Sequence, residues 1–325
     1  MTRGDTPVLL LAWRRPEAAE RVLAAIRTAT PSRLFVACDG PRADAPEEAE
    51  RVRRCREVIE RGIDWPCTVE RLYRDTNAGC RRGVSEAITW FFTHVEEGIV
   101  LEDDCVPHPD FFGYCAELLA RYRDDERVWC IGGMNVQDGN WRGDGSYYFS
   151  RYNHVWGWAS WRRAWSRYDV TMAGWPAFRD AGGAARIFED PVEARFWSAI
   201  WEQMWRGAGP DTWDYQWTFA CLSHGALTAL PNRNLVQNIG FSADATNTHD
   251  ANYYGSQQSQ GILPLTHTRE MHRDQAADAY TFARHFHGDE YRRQTSRWHW
   301  LRSRLQTAAT DPTRVLRAVW RRMVR

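Results

Sequence analysis

The chain has 325 residues, enough for one large domain or two modest ones with a substantial core. Basic and acidic residues number 42 each, so the sequence lacks the cationic excess of a general nucleic-acid-binding protein. All of the basic residues are arginine, which favours bidentate contacts with phosphate or carboxylate, although genomic composition bias explains the same observation.

The first half of the chain, residues 7 to about 133, alternates short apolar runs with longer amphipathic stretches. The apolar runs are PVLLLAW, RLFVACD, CTVERLYRD, GIVLEDD and RVWCIGG. The amphipathic stretches between them predict helices, two of which open at Pro16 and Pro109, where a first helical turn accepts proline. This alternation predicts a doubly wound, mostly parallel α/β sheet with helices on both faces.

The second half, from about 146 to 249, is rich in aromatic residues, as in SYYFSRYNHVWGWASWRRAWSRYD. It also contains a helical pattern, PVEARFWSAIWEQMW, and a strand-like one, ALTALPNRNLVQNIG. We interpret it as a lobe that completes a cleft, with most of the tryptophan rings in the core. The predicted organisation is therefore one domain over residues 1–250, with halves 1–133 and 134–250, followed by an extension over 251–325.

The extension ends in a basic segment. From Arg292 onward there are ten arginines and one acidic residue, Asp311. An amphipathic basic helix is typical of contact with a membrane surface or a partner, and a solvated tail is the alternative. No run of about 20 apolar residues predicts a membrane-spanning helix.

Cysteine usage and the N-terminus bear on the compartment. The eight cysteines form no C-x-x-C pair and no zinc-site spacing, which favours free, mostly buried thiols in a reducing environment. PVLLLAW has one basic residue before it and no small-residue cleavage site, so it predicts a first strand and not a signal peptide. We expect a cytoplasmic protein, in peripheral contact with the inner face of the membrane if the basic tail binds there.

Three polar loops, ACDGPR, YRDTNAGCRR and LEDDC, each follow a predicted strand. In open parallel sheets ligands bind outside the carboxyl ends of the strands, so these loops predict one crevice. Glu102, Asp103 and Asp104 are consecutive there, and like charges need a compensating cation. Mg²⁺ or Mn²⁺ shared with nucleotide phosphates would supply it. A solvated acidic turn, or an acid capping the helix near Pro109, is the alternative.

Six blocks occur in order: AWRRP, ACDGPR, NAGCRRGVSEAITWFF, VLEDDCVPHPDFF, WGWASWRRAW and TWDYQW. Together they resemble the nucleotide-sugar glycosyltransferases of the GT-A fold, above all the N-acetylglucosaminyltransferase I type and its bacterial relatives. The resemblance covers residues 7–249. It implies a GT-A-like doubly wound sheet with an aromatic-rich acceptor lobe. The implied activity is inverting transfer of a hexosyl group from a nucleotide diphosphate, UDP first, to a hydroxyl.

Several implied positions contact the donor. Arg15 matches a basic residue that reaches the diphosphate, and Asp39 matches the acid that hydrogen-bonds uracil. Asn77 and Arg82 fall in a donor-contacting loop. Trp158, in a glycine-tryptophan pair, matches the sugar end of the cleft.

Other implied positions carry the chemistry. Asp104 matches the metal-binding acid, for Mn²⁺ or Mg²⁺, and Glu102 and Asp103 would lie against ribose and donor sugar. Asp214 matches the general base that takes the acceptor proton, and a helix cap is the alternative for this residue. His249 matches a histidine that completes metal coordination, with an ordinary exposed histidine as the alternative.

The acceptor remains open, because the residues beyond about 250 match nothing in the family. A saccharide, as in polysaccharide biosynthesis, a glycolipid or another hydroxyl compound all fit. Two other functions compete: a catalytically silent carbohydrate-binding or scaffold protein on the same fold, and a sugar-nucleotide nucleotidyltransferase. The segment LLLAWRRPEAAERV contains no glycine, which speaks against the phosphate loop of the latter.

Overall fold

A computed structural model describes residues 5–240 and 258–296. Within them, an eight-stranded sheet is formed by β1 (Val8–Ala12), β2 (Arg33–Cys38), β3 (Thr68–Tyr73), β4 (Glu97–Glu102), β6 (Val128–Gly132), β7 (Tyr147–Ser150), β8 (Trp158–Trp161) and β9 (Leu227–Pro231). Two short strands, β5 (Cys105–Pro107) and β10 (Val236–Asn238), pair antiparallel outside it.

The strand order is β3-β2-β1-β4-β8-β6-β9-β7. β8 runs antiparallel to both β4 and β6, and β7 runs antiparallel to β9. The other neighbouring pairs are parallel. The predicted mostly parallel α/β sheet is therefore confirmed.

The helices are α1 (Pro16–Arg27), α2 (Glu48–Gly62), α3 (Gly79–His94), α4 (Pro109–Arg121), α5 (Arg162–Trp165), α6 (Trp175–Asp180), α7 (Gly183–Ile187), α8 (Pro191–Trp205), α9 (Asp214–Ser223), α10 (Gln275–Arg284) and α11 (Gly288–Thr295). Proline opens α1 and α4, as the sequence predicts. The Asp190 carboxylate caps α8 by accepting a hydrogen bond from the backbone N–H of Val192 at 2.8 Å.

Both faces of the sheet are covered, and β1 illustrates why its sequence is continuously apolar. Val8 and Leu10 pack with α1, α2 and α4 on one face, whereas Leu9 and Leu11 pack with α3 and α9 on the other. Successive side chains of a strand point to opposite faces, so a strand between two helical layers buries every position.

A third core, of aromatic residues, lies among α6, α7, α8 and α9. Trp197 and Trp201, four residues apart on α8, are both buried there. The prediction that most tryptophans belong to the core is confirmed by their burial. Phe282 of α10 joins the same core and meets Phe196 edge-on, with ring centroids 5.4 Å apart.

The aromatic-rich half, which the sequence predicts as a lobe that completes the cleft, also contributes strands to the main sheet. β7, β8 and β9 all come from the aromatic-rich half, yet they join the main sheet, with β8 inserted between β4 and β6. β8 is a four-residue run buried on both faces, and such a run has no period that distinguishes a strand from a helix. The predicted boundary near residue 250 lies outside the described residues.

The eight cysteines are all free, and six of them are buried, which confirms the prediction of free, mostly buried thiols. Across residues 5–240 and 258–296, no helix is both long and apolar enough to cross a membrane. Most of the basic segment, from residue 297 onward, lies outside the described residues.

Candidate functional site

A cavity of about 730 Å³ opens beside the carboxyl ends of β1, β2 and β4. Its volume is in the range of small-molecule sites, and its position is that of ligand sites in open α/β sheets. The residues predicted from sequence that line it are Arg15, Asp39, Asn77, Glu102, Asp103, Asp104 and Asp214. The structure thus brings together most of the predicted site.

The three consecutive acids do have a compensating cation, and it is an arginine. Arg15, just before α1, places its guanidinium 2.7 Å from Asp103 Oδ1 and 2.7 Å from Asp104 Oδ2. Asp103 also accepts a hydrogen bond from the backbone N–H of Trp13 at 3.0 Å. Charge crowding alone therefore does not require a metal, although metal binding stays a prediction.

Glu102 is the acid that Arg15 does not contact. Its carboxylate accepts no hydrogen bond from the described residues, and burial together with the charge of Asp104 raises its pKa to about 8. Burial raises the pKa of Asp103 to about 6, because the opposing effect of Arg15 is smaller. Glu102 is therefore mostly protonated at neutral pH unless another cation approaches it.

A glycine lets the chain approach the acids from β10. Ile239 donates its backbone N–H to the backbone oxygen of Asp104 at 2.8 Å. A Cβ on the next residue, Gly240, would lie 2.2 Å from Asp104 Oδ2. Any side chain there would displace the Asp104 carboxylate, so the position requires glycine.

Asp39 organises the loop before α3. Its carboxylate accepts hydrogen bonds from the Ala78 backbone N–H at 3.0 Å and from Asn77 Nδ2 at 2.9 Å. Asn77 Oδ1 in turn accepts the N–H of Gly79 at 3.0 Å. Burial raises the pKa of Asp39, and the backbone hydrogen bonds partly oppose this.

Asp214 is the first residue of α9, and it is partly buried at the cavity wall. Its Oδ1 accepts a hydrogen bond from Thr212 Oγ1. Burial raises its pKa, and the contact with Thr212 partly opposes this. The charge of Asp214 also contributes to the raised pKa of Glu102. The carboxyl groups of Asp214 and Glu102 are therefore close enough for the charge of Asp214 to raise the pKa of Glu102.

The loop that leads to Asp214 is anchored to α3. Asp211 accepts the backbone N–H of Cys80 at 2.8 Å and that of Arg81 at 3.2 Å. A carboxylate is favoured at a helix N-terminus, where N–H groups lack partners within the helix. This contact fixes Asp214 relative to the loop that Asp39 holds.

Two predicted residues do not line the cavity. Arg82 is exposed on α3 and pairs with Glu86 at 2.9 Å. Trp158 is fully buried, stacked on Trp213 with centroids 5.8 Å apart, and is not among the described residues that line the cavity. A core role, the alternative reading of the aromatic residues, therefore describes Trp158. His249 lies outside the described residues.

Sequence reasoning missed two cationic lining residues, Arg42 and Arg74. Both stand in the loops that follow strands, Arg42 after β2 and Arg74 directly after β3. The position of Arg74 directly after a strand predicts that it lies at the cavity. Arg82 lacks this position, because it lies on the surface of a helix. Their carboxylate partners are Glu48 for Arg42 and Glu86 for Arg74.

The acids at the end of β4 are also a candidate metal site. Among residues 5–240 and 258–296, no group of three or more His, Cys, Asp and Glu side chains is arranged to hold an ion. Glu102 and Asp104 offer two carboxylates, which suits Mg²⁺ or Mn²⁺ only when nucleotide phosphates supply further ligands. The unpaired Glu102 carboxyl, with its raised pKa, fits such a cation.

No protein-family model matches this chain, and no curated protein matches its sequence. Solved structures do match. The inositol-1-phosphate CTP transferase from T. maritima aligns over 76% of this chain and 94% of its own, with 8% identity and a TM-score of 0.39. Mouse xyloside xylosyltransferase 1 aligns over 68% and 82%, with 11% identity and a TM-score of 0.33.

A cytidylyltransferase from Leptospira borgpetersenii aligns over 50% of this chain, with 9% identity and a TM-score of 0.32. This chain spans 63% of that protein's length. Similarity at these TM-scores and identities does not establish a shared activity, so function rests on the residues of the cavity.

Proposed function

We propose that the protein is a metal-dependent inverting glycosyltransferase, which moves a sugar from a nucleotide diphosphate to an acceptor hydroxyl. One observation carries the proposal: Glu102 and the Arg15-paired acids Asp103 and Asp104 share a cavity at the strand ends with the partly buried acid Asp214. UDP is the first candidate nucleotide by resemblance.

Cationic side chains would hold the departing diphosphate. Arg15, Arg42 and Arg74 line the cavity, and guanidinium groups make bidentate contacts with phosphate oxygens. They stabilise the negative charge that develops as the nucleotide leaves. Arg74 is proposed for the role that the resemblance gave to Arg82, because Arg74 lines the cavity whereas Arg82 is exposed on the surface of α3.

Acidic and polar side chains would hold the rest of the donor. Glu102 and Asp103 are assigned to the ribose and donor sugar, while Asp39 and Asn77 are assigned to the base. Asp104, with Glu102 beside it, would hold Mn²⁺ or Mg²⁺, which neutralises charge on the diphosphate.

Asp214 is assigned as the general base. The acceptor oxygen attacks the anomeric carbon, and its proton passes to the Asp214 carboxylate. The bond between that carbon and the phosphate oxygen breaks, and its electron pair leaves with the nucleoside diphosphate. A single displacement inverts the anomeric centre. The raised pKa of Asp214 makes its carboxylate a stronger base than an exposed aspartate.

A thermal-shift screen tests the donor site. UDP, GDP, CDP, ADP and dTDP are each added with Mn²⁺ or with EDTA, because a ligand that binds only the native state raises its stability. We expect UDP to stabilise the protein only with the metal. The variant Asp104→Ala should bind UDP more weakly and without dependence on the metal.

Product analysis separates the competing functions. A glycosyltransferase incubated with UDP-sugars releases UDP, whereas a nucleotidyltransferase incubated with UTP and a sugar phosphate releases pyrophosphate. Absence of a thermal shift with all five nucleotides would remove the donor site and favour the scaffold function.

A further inference from the structure

Part of the cavity wall is uncharged and is built by elements far apart in sequence. Asn153 and His154 come from the loop between β7 and β8, and His285 and Phe286 come from the turn between α10 and α11. Trp197 of α8 completes the group. We call these residues the neutral wall. The sequence resemblance ends at residue 249, so it does not cover the turn at 285–286.

Polar atoms of the neutral wall are buried without partners. Asn153 is 6% exposed and His154 is 3% exposed. Asn153 Nδ2, Asn153 Oδ1 and His154 Nε2 make no hydrogen bond with any described residue. Leaving such a group unsatisfied costs about 1–3 kcal/mol, so native proteins seldom do so without a reason. Both residues line the cavity, so a ligand bound there can come within reach of these atoms.

The chemistry of these atoms identifies the ligand class. An amide offers one donor group and one acceptor, and a neutral imidazole nitrogen offers one more of either kind. Hydroxyl groups both donate and accept, so they match this set. Burial lowers the pKa of His154 to about 4, and burial also lowers the pKa of His285. Both rings are therefore uncharged at neutral pH.

An uncharged wall discriminates against ions. Burying a charge without a partner costs far more than burying a hydroxyl that is hydrogen-bonded. The wall therefore differs from the surfaces that carry Arg15, Arg42 and Arg74, which suit phosphate.

Aromatic rings support the polar atoms. The His154 ring lies 4.9 Å from that of His285, and the Phe286 ring lies 4.9 Å from that of Trp197. Such faces pack against apolar C–H surfaces. A neutral saccharide combines both features, because its ring carries hydroxyl groups and presents apolar C–H faces.

We propose that the neutral wall is a binding subsite for an uncharged sugar ring, with Asn153 as its main hydrogen-bonding residue. The proposal rests on the proposed function, and the ring belongs either to the donor or to the acceptor. The turn between α10 and α11 is thereby part of the binding site.

The test is saturation-transfer difference NMR with the full chain, UDP and Mg²⁺, which is diamagnetic. The probes are the methyl glycosides of glucose, galactose, mannose, xylose and N-acetylglucosamine, with glucuronate as the charged comparison. We expect at least one neutral glycoside to bind and glucuronate to bind more weakly. Adding the UDP-sugar that carries the same sugar separates the sources: loss of the signal indicates the donor's sugar, and persistence indicates the acceptor.

The variants are Asn153→Ala and Asn153→Asp, with Asn232→Ala as the control. Asn232 is an equally buried amide, but it is fully hydrogen-bonded to the backbone of Arg142 and Gly145. Asn153→Ala should weaken glycoside binding about tenfold. It should keep its melting temperature, because no described residue loses a hydrogen bond. Asn232→Ala should keep the wild-type affinity for the glycoside and should melt at a lower temperature, because the backbone groups of Arg142 and Gly145 lose their hydrogen bonds.

Three outcomes overturn the subsite: no glycoside binds, both Asn153 variants bind as the wild type does, or Asn153→Ala melts as early as Asn232→Ala. The UDP thermal shift is measured on the same samples. If UDP stabilises the wild type while no glycoside binds, only the subsite fails; if UDP has no effect, the proposed function fails.

Discussion

Arg15 explains how three consecutive acids are accommodated at the end of β4. One guanidinium contacts both Asp103 and Asp104 at 2.7 Å, which leaves Glu102 as the acid with a strongly raised pKa. Removing one partner of a buried ion pair lowers the free energy of unfolding by about 3–5 kcal/mol, because the other charge is left uncompensated. Arg15 is thus part of the structure of the site as well as a candidate phosphate contact.

At Asp214, a change of one atom separates catalysis from binding. Asp214→Asn keeps the shape of the side chain but removes the base, so turnover should fall by on the order of a hundredfold or more while metal-dependent UDP binding is retained. Steady-state kinetics and thermal shift on the same variant measure the two effects.

The control for Asp214→Asn is Asp180→Asn, an exposed acid that pairs with Arg179 on the surface. It should have wild-type turnover. Loss of UDP binding in Asp214→Asn would show instead that the residue supports the structure.

His154 gives the unliganded protein a defined acid sensitivity. Its pKa is lowered from 6.5 to about 4, so below pH 6.5 the unfolded chain binds a proton that the folded chain does not. The contribution of the neutral His154 ring to the free energy of unfolding is fully present well above pH 6.5 and is lost as the pH falls toward 4. This contribution to the free energy of unfolding should decrease by about 1.6 kcal/mol between pH 6.5 and 5, while Glu102 and Asp103, whose pKa values are raised, act in the opposite direction over the same range.

Urea denaturation of the wild type and of His154→Asn at several pH values measures this decrease as the difference between the two proteins. His285, the neighbouring ring, adds to the effect in the same direction because its pKa is also lowered. Relative to the wild type, His154→Asn should lose less stability as the pH falls from 6.5 to 5. An unchanged slope in that variant would mean that other groups cause the acid sensitivity.

On the scale of elements, the small β5–β10 sheet determines how closely the chain approaches the acids. β10 pairs with β5, and Ile239 then bonds to the backbone of Asp104. This places Gly240 against the Asp104 carboxylate. A short sheet outside the main one therefore fixes the geometry of the proposed metal ligand.

Gly240→Ala tests this arrangement. The added Cβ would meet Asp104 Oδ2 at 2.2 Å, so the carboxylate must move. We expect metal-dependent UDP binding to weaken about tenfold, as measured by isothermal titration calorimetry. Gly174→Ala is the matched control, because a Cβ at Gly174 meets nothing within 4 Å. Equal affinities of the two variants would contradict the role of Gly240.

On the scale of the whole molecule, residues 258–296 are part of the folded body. Phe282 is 2% exposed in the third core, and Asp278 accepts a hydrogen bond from Ser150 of β7 at 2.5 Å. His285 and Phe286 line the cavity. Stability and the binding site therefore both depend on this segment.

Phe282→Ala measures this dependence. Truncating a buried phenylalanine leaves a cavity and should lower the free energy of unfolding by about 3–5 kcal/mol in urea denaturation. Trp141→Ala removes a larger ring that is 54% exposed, and it should change stability by no more than about 0.5 kcal/mol. A small effect of Phe282→Ala would mean that α10 contributes little to the core.

Much of the site was predictable because it lies at strand ends. Asp39 and the acids at 102–104 directly follow apolar runs, and the carboxyl ends of parallel strands meet at one edge of a sheet. Arg82 and Trp158 were placed by motif similarity, which does not specify the direction of a side chain. Arg82 points to the surface and Trp158 into the core.

By itself, the sequence determined the alternation of strands and helices, the helix starts at Pro16 and Pro109, and the crevice at the strand ends. These follow from local periodicity and backbone chemistry. Tertiary structure decided the insertion of β8 between β4 and β6, the pairing of Arg15 with two acids, and the contact of His154 with His285. These depend on contacts between residues far apart in the chain, which local patterns do not encode.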